Sequence, residues 1–447
     1  MSPISSASFT VNGILYSPPA RPVVAICLDG SADEYFDAAL ARGRMPNFQQ
    51  LSVRGYRGLA RGAMPSFTNV NNTSIVTGVP PSVHGIGGNF FYERATDREV
   101  MMNSASYLRA DTIFPAAAKA GRQVAVITAK EKLRDIFAHQ LVGSGAAGGI
   151  AFSSEKANQA ALATHGIERV EKIVGRPTPA IYSPEASLYV FWAGAALIEQ
   201  KRADFLYLST TDYMQHKFAP EAAEALDFYA ALDRELGRLR DLGAIVGVTA
   251  DHGMNAKQKP DGSPNVIYLE SVLTARFGAG FRVILPITDP YVVHHGALGS
   301  FAVVHLPARL SASTKTDVVR FLNELTGVTE VFGAEAATKL ELPADRLGDL
   351  VVISGRDVVL GRTPAYHDLK VIEDGLRSHG GRYEEMVPFL ISEPLRPAYA
   401  RRAAGDPRNF HLFDFVCNGT TATAPGQPAP AAGAAEAARP SNPEASS

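Results

Sequence analysis

Val246-Gly247-Val248-Thr249-Ala250-Asp251-His252-Gly253-Met254 is an apolar, β-branched run that stops abruptly at an acid, an imidazole and a glycine. Without polar alternation, such a run is a strand buried on both faces, the habit of parallel sheets covered by helices. Its carboxyl end delivers Asp251 and His252 towards a cleft. That pair signals a metal or catalytic centre only if other strand ends supply partners.

Working outward, three more strands end in the same way. Val23 to Leu28 is a continuous apolar run closed by Asp29-Gly30. Gln123 to Thr128 delivers Lys130 and Lys132 just past its end. Phe205 to Thr210 runs into Thr211-Asp212, with His216 four residues after Asp212. Helical segments alternate with these strands near Ala32 to Arg42, up to about Gly55, and over Phe114 to Gly121, Ser187 to Lys201 and Ala219 to Leu242. The alternation predicts an α/β fold, a doubly wound, mostly parallel sheet with ligands at carboxyl strand ends. A short strand at Tyr56 to Ala60 leads into Met64-Pro65-Ser66-Phe67-Thr68-Asn69. Thr68 falls where a loop turns into a buried helix over Asn69 to Thr77. Residues Gly78 to Asn89 read as a loop punctuated by glycine and proline.

After Met254 the texture changes. Phe281 to Leu285, Tyr291 to His295, Ser300 to His305 and Gly348 to Ser354 are strand-like, with a helix over Thr314 to Leu325. We read residues 1–255 as the first part of a core domain and 256–374 as an inserted, smaller α+β cap over the cleft. Residues 375–418 are the return to the core, with a last strand over Val387 to Ser392. From 419 to 447 the chain is almost entirely Ala, Pro, Gly, Ser, Thr and Glu. It cannot bury enough apolar surface to offset its ordering entropy, and disorder is expected there.

Bulk properties narrow the function classes. At 447 residues with 46% apolar residues, the chain suits more than one domain, or one large core domain carrying an insertion. A formal charge of -2 argues against nucleic-acid or membrane-surface binding, which needs excess Lys and Arg. Two distant cysteines, Cys27 and Cys417, offer no disulfide framework. Residues 1–22 lack the layout of a secretion signal, and no apolar run approaches the roughly 20 residues that span a bilayer. A cytoplasmic protein is expected.

Asp29, Asp212, His216, Asp251, His252 and His379 all sit at or near predicted carboxyl strand ends. Each alone has a plainer reading: an Asp after a strand is usually a helix N-cap, and a lone His is usually a satisfied core or surface residue. Together, in a doubly wound sheet, they face one crevice. Carboxylates and imidazoles without thiolates suit Zn²⁺, and also Mn²⁺ or Fe²⁺. His294-His295 in the insertion is read as structural.

Ile26-Cys27-Leu28-Asp29-Gly30, Pro65-Ser66-Phe67-Thr68-Asn69, His84-Gly85-Ile86-Gly87-Gly88-Asn89, Asp212-x-x-x-His216, Ala250-Asp251-His252-Gly253-Met254 and His379-Gly380 resemble, in order, the motifs of the alkaline phosphatase superfamily. Within it, the nucleotide pyrophosphatase/phosphodiesterase-like branch is the most similar, and within that branch the members that hydrolyse phosphonoacetate. The likeness spans about residues 23 to 395. It implies two zinc ions per subunit. Asp212, His216 and His379 would hold one, and Asp29, Asp251, His252 and the Thr68 hydroxyl the other. Thr68 would be the nucleophile, Asn89 a donor to a phosphoryl oxygen, and His216 a further substrate contact. The sulfatase signature of the superfamily is absent. Family habit implies a homodimer.

Lys130 and Lys132 alone read as the solvated start of a helix. The resemblance instead gives them the carboxylate of a small phosphonate substrate. The chemistry makes the same demand, because C–P hydrolysis expels carbon with its electron pair, and cations beside the neighbouring carboxylate stabilise that charge as an enediolate. The implied course is attack by Thr68, departure of acetate, and release of phosphate from a phosphothreonine by water on the Asp212, His216 and His379 side. Two other readings remain open: a phosphodiesterase or nucleotide pyrophosphatase on the same scaffold, and a metal-stabilised binding protein without turnover.

Overall fold

The strands that position the site are β1 (Val23–Cys27), β2 (Tyr56–Arg61), β3 (Val124–Thr128), β4 (Ile150–Ser153), β5 (Phe205–Ser209), β6 (Ile245–Thr249), β7 (Arg282–Ile284), β8 (Phe301–His305), β9 (Val328–Phe332), β10 (Leu350–Ser354) and β11 (Met386–Ile391). The structure is a computed structural model and describes residues 4–289, 296–372 and 375–421. Seven strands form the central sheet in the order β2-β11-β6-β1-β5-β3-β4. The pairs from β6 to β4 are parallel, while β11 runs antiparallel to both β6 and β2. The α/β, mostly parallel sheet expected from the alternation is therefore present.

Helices cover both faces. They include α1 (Asp33–Ala41), α2 (Thr68–Thr77), α3 (Glu131–Phe137), α4 (Pro184–Glu199), α5 (Tyr213–Lys217), α6 (Ala223–Asp241) and α7 (Leu412–Asn418). Successive strand residues point to opposite faces. Val24, Ile26, Val246 and Val248 pack with α1, α4 and α6 in one cluster. Val23, Ala25, Cys27 and Ile245 pack with Ile75, Ile136, Phe413 and Val416 in the other. Central strands must be apolar throughout because both faces are covered, and β1, β3, β5 and β6 are buried at every position.

Gly247 interrupts the β-branched run of β6 for a packing reason. A Cβ there would sit 2.5 Å from Val416 Cγ1 and 2.9 Å from Leu412 Cδ1, so α7 lies directly on the backbone. Gly247→Val is expected to destabilise the fold by about 1–3 kcal/mol through overpacking, read as a lower denaturant midpoint with an unchanged slope.

Between β6 and β11 the chain builds a separate antiparallel sheet, β7-β8-β10-β9. Its apolar face forms one cluster with Ala63, Met64, Phe67 and Val70 beside the start of α2. Asn255 and Ala256 pair antiparallel with Ser378 and Arg377, so the chain leaves and rejoins the core at one neck. Behind that neck, Lys257 Nζ lies 2.9 Å from Glu384 Oε1, with both side chains fully buried.

Several elements depart from the sequence reading. Pro81–His84 is a short helix inside the stretch expected as loop, Leu269–Phe277 is a helix between β6 and β7, and β4 and α7 have no counterpart in the sequence pattern. β4 has only four residues, too few to set a period, and α7 is too short and too uniformly buried to show an apolar stripe. At the start of the segment read as disordered, the Thr421 N–H donates to the Pro394 carbonyl and Thr420 bridges to Leu395. The rest of the segment read as disordered, 422–447, lies outside the described residues, as does His294-His295.

Candidate active site

Register explains why the ligands meet. Thr249 pairs with Cys27, Cys27 with Ser209, and Ser209 with Thr128, so four strands end level with one another. The residues that follow, Asp251 and His252, Asp29, Asp212, and Lys130, emerge side by side on one rim. His216 joins from α5, and His379 from the return segment just before β11. Thr68 is the first residue of α2, whose ten residues are all buried. The positive end of that helix favours an anion next to the Thr68 hydroxyl.

The three imidazoles are oriented alike. His252 Nδ1 lies 2.9 Å from the Gly253 carbonyl, His379 Nδ1 2.7 Å from that of Ser66, and His216 Nδ1 2.8 Å from that of Arg377. A carbonyl can only accept, so each Nδ1 carries the hydrogen, which leaves each Nε2 as a lone pair in the neutral ring. Histidines that bind metals are held in this way. His252 Nε2 is 3.3 Å from Thr68 Oγ1, 3.3 Å from Asp29 Oδ1 and 3.8 Å from Asp251 Oδ2. His216 Nε2 is 3.0 Å from Asp212 Oδ2, and His379 Nε2 is 4.0 Å from the same oxygen.

Among the described residues, two groups present ligand atoms within 4.8 Å of one another: Asp29, Asp251 and His252, and Asp212, His252 and His379. His252 stands in both, with its ring stacked on that of His379 at 3.5 Å. The second group contains His252 where the resemblance assigns His216, which instead rests against Asp212.

A cation fits the electrostatics. Asp29 is fully buried, and neither of its oxygens has a hydrogen-bond partner among the described residues. A buried carboxylate in that state is costly unless positive charge faces it. Burial and the Asp29 charge push the Asp251 carboxyl well above its ordinary value. Burial alone would lower the His252 imidazole, yet Asp251 and Asp29 pull it up to about 9. Burial, with His252 and His216 nearby, pushes His379 well below its ordinary value. The carboxylates thus demand positive charge at the centre of the cluster.

The remaining site residues are also here. Asn89 Oδ1 accepts from the Asn69 N–H at 3.2 Å, which leaves the amide nitrogen of Asn89 as the group available to donate. Lys130 Nζ is 2.9 Å from Asp212 Oδ1 and 3.7 Å from Asp29 Oδ2. Burial would lower this ammonium, but Asp212 and Asp29 hold it above its ordinary value. Lys132 pairs with Asp289, and burial lowers its ammonium despite that partner. Asp289 was not singled out in the sequence. It lies 157 residues from Lys132 in the chain, and no motif around it signals its partner.

The sequence matches the family described as type I phosphodiesterase / nucleotide pyrophosphatase over residues 23–382. The chain belongs to this family. Among solved structures it is similar to phosphonoacetate hydrolase from Sinorhizobium meliloti 1021, seen in complexes with phosphonoformate and with phosphonoacetate. The likeness has a TM-score of 0.85 and 47% identity, covering 93% of this chain and 99% of that one. Murine ectonucleotide pyrophosphatase / phosphodiesterase 5 shares the fold, with a TM-score of 0.56 and 15% identity over 91% of this chain and 98% of that one. Venom phosphodiesterase of Naja atra is 28% identical over 263 residues, 56% of this chain. The chain spans only 28% of that relative's length. No helix among the described residues is long and apolar enough to cross a membrane.

Proposed function

We propose that this phosphodiesterase-family chain hydrolyses the C–P bond of phosphonoacetate to acetate and phosphate. The observation that carries the reading is the pair Lys130 and Lys132 on the rim that also gathers Asp29, Asp212 and Asp251. The Sinorhizobium enzyme, 47% identical, supports it by its name and by its complexes with phosphonoacetate and phosphonoformate. A phosphate ester has an oxygen leaving group and needs no cation beyond the phosphorus centre. Phosphonoacetate, in contrast, must shed carbon with an electron pair.

In this reading Asp212, His216 and His379 hold one metal ion. Asp29, Asp251, His252 and the Thr68 hydroxyl hold another. We carry two zinc ions, a cytoplasmic location, a homodimer and the division into core 1–255, cap 256–374, return 375–418 and tail 419–447 as parts of the same proposal. Bound metal supplies charge on the phosphonate oxygens and lowers the pKa of a coordinated hydroxyl. Thr68 Oγ attacks phosphorus as the P–C bond breaks. The electron pair moves onto the CH₂–COO⁻ fragment, where Lys130 and Lys132 stabilise it, and proton capture at carbon gives acetate. Water then attacks the phosphothreonine, releasing phosphate and restoring the Thr68 hydroxyl. Asn89 donates its amide to a phosphoryl oxygen throughout.

Lys132 gives the cleaner discrimination, because Lys130 touches Asp212 and its loss would mix metal and substrate effects. Lys132→Ala is expected to lower kcat/KM for phosphonoacetate about 10²–10³-fold, the scale of one lost transition-state contact. Hydrolysis of bis(p-nitrophenyl) phosphate should change far less. Equal losses on both substrates, or no acetate and phosphate from phosphonoacetate at saturating zinc, would sink the reading in favour of a phosphodiesterase.

A further inference from the structure

The helix that presents Thr68 is unusual for a buried one. Thr68-Asn69-Val70-Asn71-Asn72-Thr73-Ser74 is largely polar, yet every residue of α2 is buried. Most of its polar side chains spend their hydrogen bonds inside the fold, although the Thr73 hydroxyl has no partner among the described residues. Asn71 receives and donates within the Ala63 turn, and Ser74 meets His84. One turn after Thr68, Asn72 reaches across to the sheet at the point where the metal ligands emerge.

The amide of Asn72 makes four hydrogen bonds. Its oxygen accepts from Tyr207 OH at 2.7 Å and from Ser209 Oγ at 2.8 Å. Its nitrogen donates to Asp251 Oδ2 at 2.9 Å and to the Thr68 carbonyl at 3.1 Å. A carboxylate and a carbonyl can only accept, so the nitrogen must face them, and the two hydroxyls then fix the oxygen. The amide has one orientation and no spare hydrogen. The opposite carboxylate oxygen, Asp251 Oδ1, takes the N–H groups of Gly30 and His252 at 3.1 and 3.0 Å. Asp251 is thereby held at both oxygens, and Asn72 hydrogen-bonds its second oxygen directly to the nucleophile's helix.

We propose that Asn72 is a positioning residue that sets the Asp251 carboxylate relative to Thr68, so that one cation meets both. The inference rests on the metal-site reading above and deepens it. Asn72 touches no substrate; it acts through Asp251 and the Thr68 backbone. β5 supplies the two hydroxyls that aim it, which ties the geometry of the nucleophile to a neighbouring strand of the central sheet.

The test is stepwise Zn²⁺ affinity of the full chain, measured by competition with a chromogenic chelator. Asn72→Ala is expected to weaken one zinc site about 10–100-fold, the usual scale for the loss of a partner behind a metal ligand. The other site should stay within about threefold, because Asp212 and His379 do not touch Asn72. The paired change Tyr207→Phe with Ser209→Ala keeps the amide but frees its orientation, and it should weaken the same site selectively; it serves if Asn72→Ala does not fold. Ser209→Ala alone leaves Tyr207 in place and should change neither site by more than about threefold. Unchanged affinity at both sites in the folded variants, or equal weakening at both, overturns the inference while leaving the metal reading intact. A wild-type chain that binds no zinc overturns the metal reading and this inference together.

Discussion

Thr68→Ala at saturating zinc is expected to lower phosphonoacetate turnover by about 10⁴-fold or more, since removing a nucleophile that acts with its whole site costs on this scale. The side chain is small and lies at a helix start, where among the described residues its hydroxyl meets only His252, at 3.3 Å. Thermal unfolding should therefore shift little, and phosphonoacetate should still bind through Lys130, Lys132 and Asn89. The measurement is phosphate release alongside equilibrium binding of the substrate. A binding protein without turnover would show no dependence on Thr68 at all. Retained turnover in Thr68→Ala would remove the threonine from the mechanism, and a folded variant that loses substrate affinity as completely as rate would assign Thr68 to binding.

Chelation is expected to abolish activity and also to destabilise the fold. Asp29, Asp212 and Asp251 are almost completely buried and converge on one cleft. Without a bound cation their mutual repulsion is opposed by Lys130 and, at Asp251, by neutral donors such as Asn72. A ligand that binds the native state at about a thousand times its dissociation constant contributes about 4 kcal/mol. Removing metal with excess chelator should accordingly lower Tm by several degrees. Adding Zn²⁺ back should restore both Tm and rate. Loss of rate without any change in Tm would place the metal requirement outside this cluster.

The legible part of the site was the part written as strand ends. Asp29, Asp212, Asp251 and His252 each follow a run that is apolar on both faces, and such a run has one physical meaning in an alternating α/β chain. Thr68 and Asn89 were legible only through their motifs, because a Thr before a helix and an Asn in a glycine-rich loop are common without function. Asn72 and Asp289 were not read. Asn72 had one available signal, a polar run with no apolar stripe in a segment that had to be buried, since a buried amide must spend its hydrogen bonds on something. Asp289 had none, because its partner Lys132 is 157 residues away and their pairing depends on the assembled tertiary structure.

The sequence by itself determined the covered parallel sheet and the chemistry of its rim. The apolar period and the residue following each strand are local properties, written in five or six consecutive positions such as Val246 to Asp251. Only the tertiary structure decided which imidazole faces which carboxylate, that β11 enters the sheet antiparallel, and that Gly247 is a contact point for α7. Those outcomes depend on register between strands far apart in the chain and on the carbonyls of Gly253, Ser66 and Arg377 that fix each histidine. Hydrogen-bond direction is a property of the assembled neighbourhood, and no single stretch of residues carries it.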